Sequence, residues 1–182
     1  MKKTEKTEQP SMKAEIYDMM KSIVIAMIVC VLLFVFVAKV VTVDGSSMNP
    51  TLVHGDKLLI TNHVDSYEYG DVVVFVAPDF MDEPLIKRVI ATEGQLVEIN
   101  FKKGIVKVDE QVLDEPYIAE PTADEQDYDG PFEVPKGCVF VMGDNRNHST
   151  DSRTKEIGCV DTRYSLGKAE FVLFPLKSFG KM

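Results

Sequence analysis

The sequence predicts a mainly β fold in which one N-terminal transmembrane helix leads into an extracytoplasmic β-rich domain. Three observations carry that reading. Residues Ile23–Ala38 are sixteen consecutive apolar positions. After Val43 the chain breaks into short β-branched or apolar runs separated by turn chemistry. No amphipathic pattern long enough for an ordinary helix occurs beyond that point.

The elements follow in chain order. Residues 1–21 are polar, with Lys2, Lys3, Lys6, Lys13 and Lys21 set against four acids, and read as a cytoplasmic segment. Residues 22–43 read as the transmembrane helix. From Ile23 to Val43 only Lys39 and Thr42 interrupt the apolar run. As a helix this stretch is about 31 Å long, close to a hydrocarbon core of about 30 Å. Lys39 lies one turn from its end, where its stem reaches the headgroups. A cleavable leader is the alternative, but no small-x-small site follows the run. Five lysines precede the span, and only Lys57 lies within about 15–20 residues after it, which sets the N-terminus in the cytoplasm.

Residues 44–182 form the extracytoplasmic domain. Strands are predicted at Lys57–Thr61, Asp71–Val76, Ile86–Ala91, Leu96–Ile99, Ile105–Val108, Val139–Met142 and Ala169–Phe174. Gly70-Asp71, Glu93-Gly94, Asp109-Glu110 and Pro135-Lys136-Gly137 supply turns between them. Residues 114–136 are acidic and proline-bearing and read as a long surface loop.

Composition removes several function classes. The chain holds 20 basic and 29 acidic residues, a formal net charge of −9. Beyond Val43 the count is 14 basic and 25 acidic, a net of −11. Such a surface has no bulk attraction for phosphate backbones, so nucleic acid is not an expected partner. There is no C-x-x-C or H-E-x-x-H spacing, no Gly-rich phosphate loop and no G-x-S-x-G. No metal or organic cofactor is expected. Cys30 lies in the span. Cys138 and Cys159, each in a Gly-Cys-Val context, lie outside, where a disulfide is chemically permitted, but spacing does not fix their separation.

Three stretches stand out as chemistry: Gly45–Leu52 directly after the span, Leu85–Ile90, and the polar run Gly143–Arg153. In the second, strand alternation sets Leu85, Lys87 and Val89 on one face and Ile86, Arg88 and Ile90 on the other. A desolvated lysine can lose its proton where arginine cannot, and a neutral lysine beside a serine hydroxyl is a general base without histidine. Read singly, each stretch is an edge strand or a loop before it is chemistry.

Taken in this order behind a single span, the three resemble bacterial type I signal peptidase (leader peptidase) in its single-span, Gram-positive-like form. The carrying residues are Ser47-Met48-Asn49-Pro50-Thr51, Lys87-Arg88, and Gly143-Asp144-Asn145-Arg146 followed by Ser149-Thr150-Asp151-Ser152-Arg153. The runs Gly55–Ile60 and Gly70–Phe75 also match, and the likeness covers roughly residues 20–180. It implies an antiparallel β-sheet domain of the signal peptidase I type. It further implies a membrane-bound serine endopeptidase that removes N-terminal signal peptides from exported preproteins after small residues. Ser47 would be the nucleophile and Lys87 the base. Ser149 would orient the lysine amine. Asp144, Arg146 and Asp151 would hold the region as a charge network, and Met48 and Ile86 would help line substrate pockets. The implied partners are signal-peptide-bearing preproteins, the lipid bilayer and, nearby, the protein-export machinery.

The chain departs from the family pattern in two places. Gly45 stands where some members carry a serine that helps the oxyanion hole. Asn147-His148 stands where Asp-Asn is common. A catalytic His148 is the weaker reading because Lys87 occupies the base position, and His54 and His63 read as surface residues. The competing functions are a specialised peptidase for pilin-like or a few dedicated substrates, and an inactive membrane-anchored partner protein.

Overall fold

The computed structural model describes residues 12–36, 38–62, 64 and 66–181. Most of the predicted cytoplasmic segment, and His63, lie outside these. The chain divides into two units, residues 1–37 and 38–182.

The first unit is helix α1, Met12–Phe36. Its described side chains are exposed, the apolar Ile23, Val24, Ile25, Met27 and Ile28 among them. The helix begins earlier than the predicted span, taking in Lys13, Glu15, Asp18 and Lys21. Among the described residues no helix is long and apolar enough to cross a membrane.

The far end of the predicted span needs correction. Ala38–Thr42 is not helix but strand β1, paired antiparallel with β2 (Lys57–Thr61) from Ala38↔Thr61 to Thr42↔Lys57. Val40, Val41 and Thr42 are β-branched and suit a pleated surface, and an apolar run does not itself distinguish helix from buried strand. The edge of β2 supplies the backbone partners that decide between them.

Among the described residues ten further strands follow. They are β3 (Val72–Ala77), β4 (Met81–Thr92), β5 (Leu96–Asn100), β6 (Ile105–Val108), β7 (Gln111–Val112) and β8 (Phe132–Glu133). After these come β9 (Cys138–Met142), β10 (Val160–Asp161), β11 (Ser165–Phe174) and β12 (Gly180–Lys181). All pairings are antiparallel. One sheet runs β1-β2-β11-β3-β4-β9-β10, with β12 on β11, and a smaller one runs β7-β6-β5-β8. All seven predicted strands are present. The missed ones other than β1 are two residues long and carry no periodicity to read.

The long β4 organises the domain. It pairs with β3 on one side and β9 on the other, then turns at Glu93-Gly94 into β5 of the small sheet. Three apolar clusters lie against it. Ile86 joins Met48, Leu52, Leu58, Ile60, Val72 and Val74. Val89 joins Val73, Phe75 and Val141. Ile90 and Ala91 join Val97, Val106, Phe140 and Met142, which seat the small sheet. The β6–β7 hairpin closes on Asp109 and Glu110, both at positive φ (50° and 67°), as a two-residue turn requires. Asp109 holds that strain by accepting the Leu96 N–H at 2.9 Å.

Residues 114–136 are not a loose surface loop throughout. Thr122 and Val134 are buried, Phe132–Glu133 pairs with β5, and the Tyr128 ring meets Phe101 and Phe140 edge-on. The acidic composition concealed these anchors.

Phe140 is fully buried and touches both Tyr128 and Phe132. Phe140→Ala is expected to cost about 3–5 kcal/mol, read as a lower midpoint in denaturant unfolding.

Candidate active site

The chain after β1 is pinned before it reaches Ser47. Val43 N–H donates to the Asp56 carbonyl at 2.8 Å, and Gly55 N–H donates to the Val43 carbonyl at 2.9 Å. Gly45 sits at φ +90°, a conformation that strains any residue with a Cβ. That accounts for glycine at a position where the family pattern allows serine. The Gly45 N–H donates weakly to His54 Nδ1 at 3.4 Å, and His54, exposed, lies 3.1 Å from Asp44. Asn49 N–H closes a turn on the Ser46 carbonyl at 3.0 Å. Met48 and Leu52 anchor this turn in the core and leave Ser47 half-buried.

Lys87 comes from the middle of β4, opposite the fully buried Val73. It is only 3% exposed, and its Nζ lies 2.8 Å from Ser47 Oγ. Burial lowers its pKa from 10.5 to about 8. Asp151 and Asp144 act in the opposite direction, and Arg153 adds to the lowering. As ammonium the group donates to Ser47 Oγ. As a neutral amine it has a lone pair for the hydroxyl proton, the arrangement of a nucleophile with its base.

The third stretch grips the serine turn from the other side. Asn145 N–H donates to the Ser47 carbonyl at 3.0 Å, and Asn145 Nδ2 donates to the Ser46 carbonyl at 3.1 Å. The approach is close enough that a Cβ on Gly143 would collide with Ser149 Oγ and the Ser47 carbonyl oxygen. Glycine is required there for space. Gly143 N–H donates to Asp151 Oδ2 at 2.9 Å.

Around the dyad the arginines are paired with carboxylates. Arg88 Nε and Nη2 reach the two oxygens of Asp144 at 2.8 and 2.6 Å, and Arg88 Nη1 donates to the Gly70 carbonyl at 2.7 Å. Thr51 Oγ1 donates to the same carboxylate, tying the serine turn to it. The Arg88 guanidinium lies 4.1 Å over the Tyr117 ring. Arg146, fully buried, makes a two-pronged pair with Glu115 at 3.0 and 2.6 Å and donates to Thr122 Oγ1 at 3.0 Å. Arg153 pairs with Asp151 at 2.8 and 2.9 Å.

The structure therefore brings Ser47, Lys87, Asp144 and Asp151 together. Arg146 joins them through its bond to the Gly143 carbonyl at 3.2 Å. Met48 and Ile86 meet in one apolar cluster, both largely buried. Ser149 differs from expectation: its Oγ is buried but makes no hydrogen bond, so it does not hold the lysine amine in this arrangement. His148 is exposed. Glu115 and Tyr117 were not singled out from sequence, and Thr51 and Asn145 stood in the quoted motifs without a stated role. Arg88 and Arg153 stood within the quoted motifs, but their carboxylate partners were not legible. Among the described residues no group of three His, Cys, Asp or Glu is placed to hold a metal ion.

Known proteins resemble this chain over most of its length. A family profile described as "Signal peptidase, peptidase S26" matches residues 16–174. A Synechocystis protein named "Probable signal peptidase I-1" is 39% identical over 88% of this chain and 83% of its own length. Signal peptidase I S of Bacillus subtilis is 32% identical over 97% of this chain and 98% of its own. The crystal structure of a signal peptidase I from Enterococcus faecalis superposes with a TM-score of 0.47 at 26% identity. It covers 58% of this chain and 98% of that one.

The buried lysine has a consequence for stability. Below pH 8 folded and unfolded chains both hold the proton, and the folded state carries the whole cost of the buried charge. As pH rises from about 8 to 10.5 that cost falls away. The difference corresponds to about 3 kcal/mol. Lys87→Met, which keeps the stem and removes the charge, is expected to unfold at a higher temperature than the unsubstituted chain at pH 7. The gap closes above pH 10.5, as calorimetry across pH would show.

Proposed function

This chain belongs to the signal peptidase family, and from that premise we propose that it is a membrane-anchored serine endopeptidase. It cleaves N-terminal signal peptides from exported preproteins with a Ser47–Lys87 dyad. The observation that carries the dyad is the 2.8 Å contact between Ser47 Oγ and a lysine kept almost wholly from water.

The steps follow from protonation. Neutral Lys87 accepts the Ser47 hydroxyl proton as Oγ attacks the scissile carbonyl carbon. The Ser47 N–H meets the oxyanion. The Gly45 N–H, already turned toward His54, is the less available second donor. Collapse breaks the peptide bond, the lysine proton leaves with the amine of the mature protein, and the signal peptide stays as an ester on Ser47. Lys87 then takes a proton from water, whose oxygen attacks the ester and frees the serine. The substrate lies extended beside the site with alternate side chains directed inward. Met48 and Ile86 would floor its pockets and favour small residues at the first and third positions before the cut.

The anchor is the apolar run beginning at Ile23. Its support is a helix whose described apolar side chains are exposed. The lysines before it set the N-terminus in the cytoplasm and the β domain outside. There the enzyme meets preproteins emerging from the export machinery while their apolar segments remain in the bilayer.

Ser47→Ala and Lys87→Ala are each expected to lower cleavage of a preprotein by at least about 10³-fold. In the unsubstituted enzyme kcat/KM is expected to rise with pH to a plateau, with a midpoint near 8. Substantial cleavage by either variant excludes the dyad. For the anchor, the full chain is expected to stay with the membrane fraction through an alkaline carbonate wash, and a chain beginning at Ala38 is expected to be released. Extraction of the full chain by that wash contradicts the anchor.

A further inference from the structure

Cys138 and Cys159 take no part in the chemistry proposed above, yet they flank the segment that supports it. Cys138 begins β9, and Cys159 directly precedes β10, the strand paired with β9. The register sets Asp161 opposite Cys138 and Val160 opposite Val139. Thr162 N–H donates to the Gly137 carbonyl at 2.9 Å and continues the same register. Side chains alternate along a strand, so Cys159 follows Asp161 onto the side of Cys138 and becomes its diagonal neighbour. The two thiols are close enough to perturb one another, and both are free and half-buried. The whole of Gly143–Arg153 lies between them in the chain.

We propose that Cys138 and Cys159 form a reversible disulfide that staples β9 to β10 and closes the loop carrying Asp144, Asn145, Ser149 and Asp151. The proposal rests on the extracytoplasmic placement given above, because disulfides persist in oxidising compartments. The oxidant is a disulfide-bearing molecule, small or protein. One cysteine thiolate attacks a sulfur of that disulfide and expels a thiolate, leaving a mixed disulfide on the chain. The second cysteine thiolate attacks the chain-borne sulfur and expels the other half. Two electrons pass to the oxidant, and the two cysteine protons end on its released thiols.

Access fits this chemistry, and reactivity sets its rate. A cleft of about 460 Å³, bounded by Tyr67, Glu93, Val139, Thr162 and Arg163, opens on Cys138. Burial, then the Cys159 thiol and Asp161, push the Cys138 thiol up to about 11, while Arg163 opposes them. Little thiolate exists near neutral pH, so closure is slow without a catalyst. Once closed, the bond constrains the unfolded chain more than the folded one.

The test uses the full chain with Cys30→Ser, equilibrated in an oxidised and reduced glutathione buffer, alkylated, and digested without reductant for mass spectrometry. The expected result is a Cys138–Cys159 peptide pair two hydrogens lighter than its parts and lost on adding dithiothreitol. Oxidation is also expected to raise Tm by about 5–10 °C. The double variant Cys138→Ala/Cys159→Ala is expected to show no such shift. Two alkylated thiols, glutathione adducts without the linked pair, or a linked pair with unchanged Tm each overturn the staple. The mapping reads the bond whether or not the chain cleaves preproteins, so failure of the staple and failure of the peptidase reading remain separate outcomes.

Discussion

Keeping one ammonium group away from water is the constraint on which the arrangement around Ser47 depends. The central strand β4 does this. β4 lies between β3 and β9, so Lys87 has Val73 across from it and the buried Val89 two residues on. Desolvation is the largest influence on its pKa, but two carboxylates nearby act against it. Each of them is occupied by an arginine, Asp144 by Arg88 and Asp151 by Arg153. The positive charge of Arg153 offsets part of the pull of the carboxylates on the lysine, and burial prevails. Lys87 and Arg88 are adjacent on one strand and point to opposite faces. One is deprived of counter-charge and the other is given it.

The arginines also explain how separate pieces of sequence hold one geometry. Arg88 on β4 grips Asp144 of the third stretch, and that carboxylate takes the Thr51 hydroxyl of the serine turn. Arg146 draws Glu115 and Thr122 in from the acidic segment, and Arg153 reaches the Asp124 carbonyl of the same segment at 2.8 Å. Buried ion pairs of this kind are weak evidence for stability, since desolvation offsets much of their attraction. Their fixed fork geometry instead sets direction and distance. Met48, the residue after Ser47, reaches the core that Ile86, the residue before Lys87, also enters. The nucleophile turn and the lysine strand thus share one hydrophobic floor.

The strands were legible where each is long enough to show its pattern. Lys57–Thr61 and Ile105–Val108 have the same bounds in sequence and structure, because apolar residues alternate or cluster between turn residues. Ala38–Thr42 was misread because Val40 and Val41 resume the apolar run directly after Lys39, and only pairing with β2 makes them strand. The site was legible as three motifs through their joint resemblance to a family. Spacing alone left each of them ordinary. Glu115 was not legible, because its pairing with Arg146 across 31 positions exists only once the chain is folded. Ser149 shows the reverse: a role carried by the motif that this arrangement leaves without a hydrogen bond.

The central claim is that the fold, by withholding water from Lys87, lowers its pKa to about 8, so that the neutral amine is populated near neutral pH. Direct titration of its side chain, followed through the 13Cε resonance of Lys87 in labelled protein and assigned by its loss in Lys87→Met, tests that claim with no substrate present. The account predicts a midpoint near pH 8. A midpoint near 10.5, the value of a solvated lysine, would contradict it.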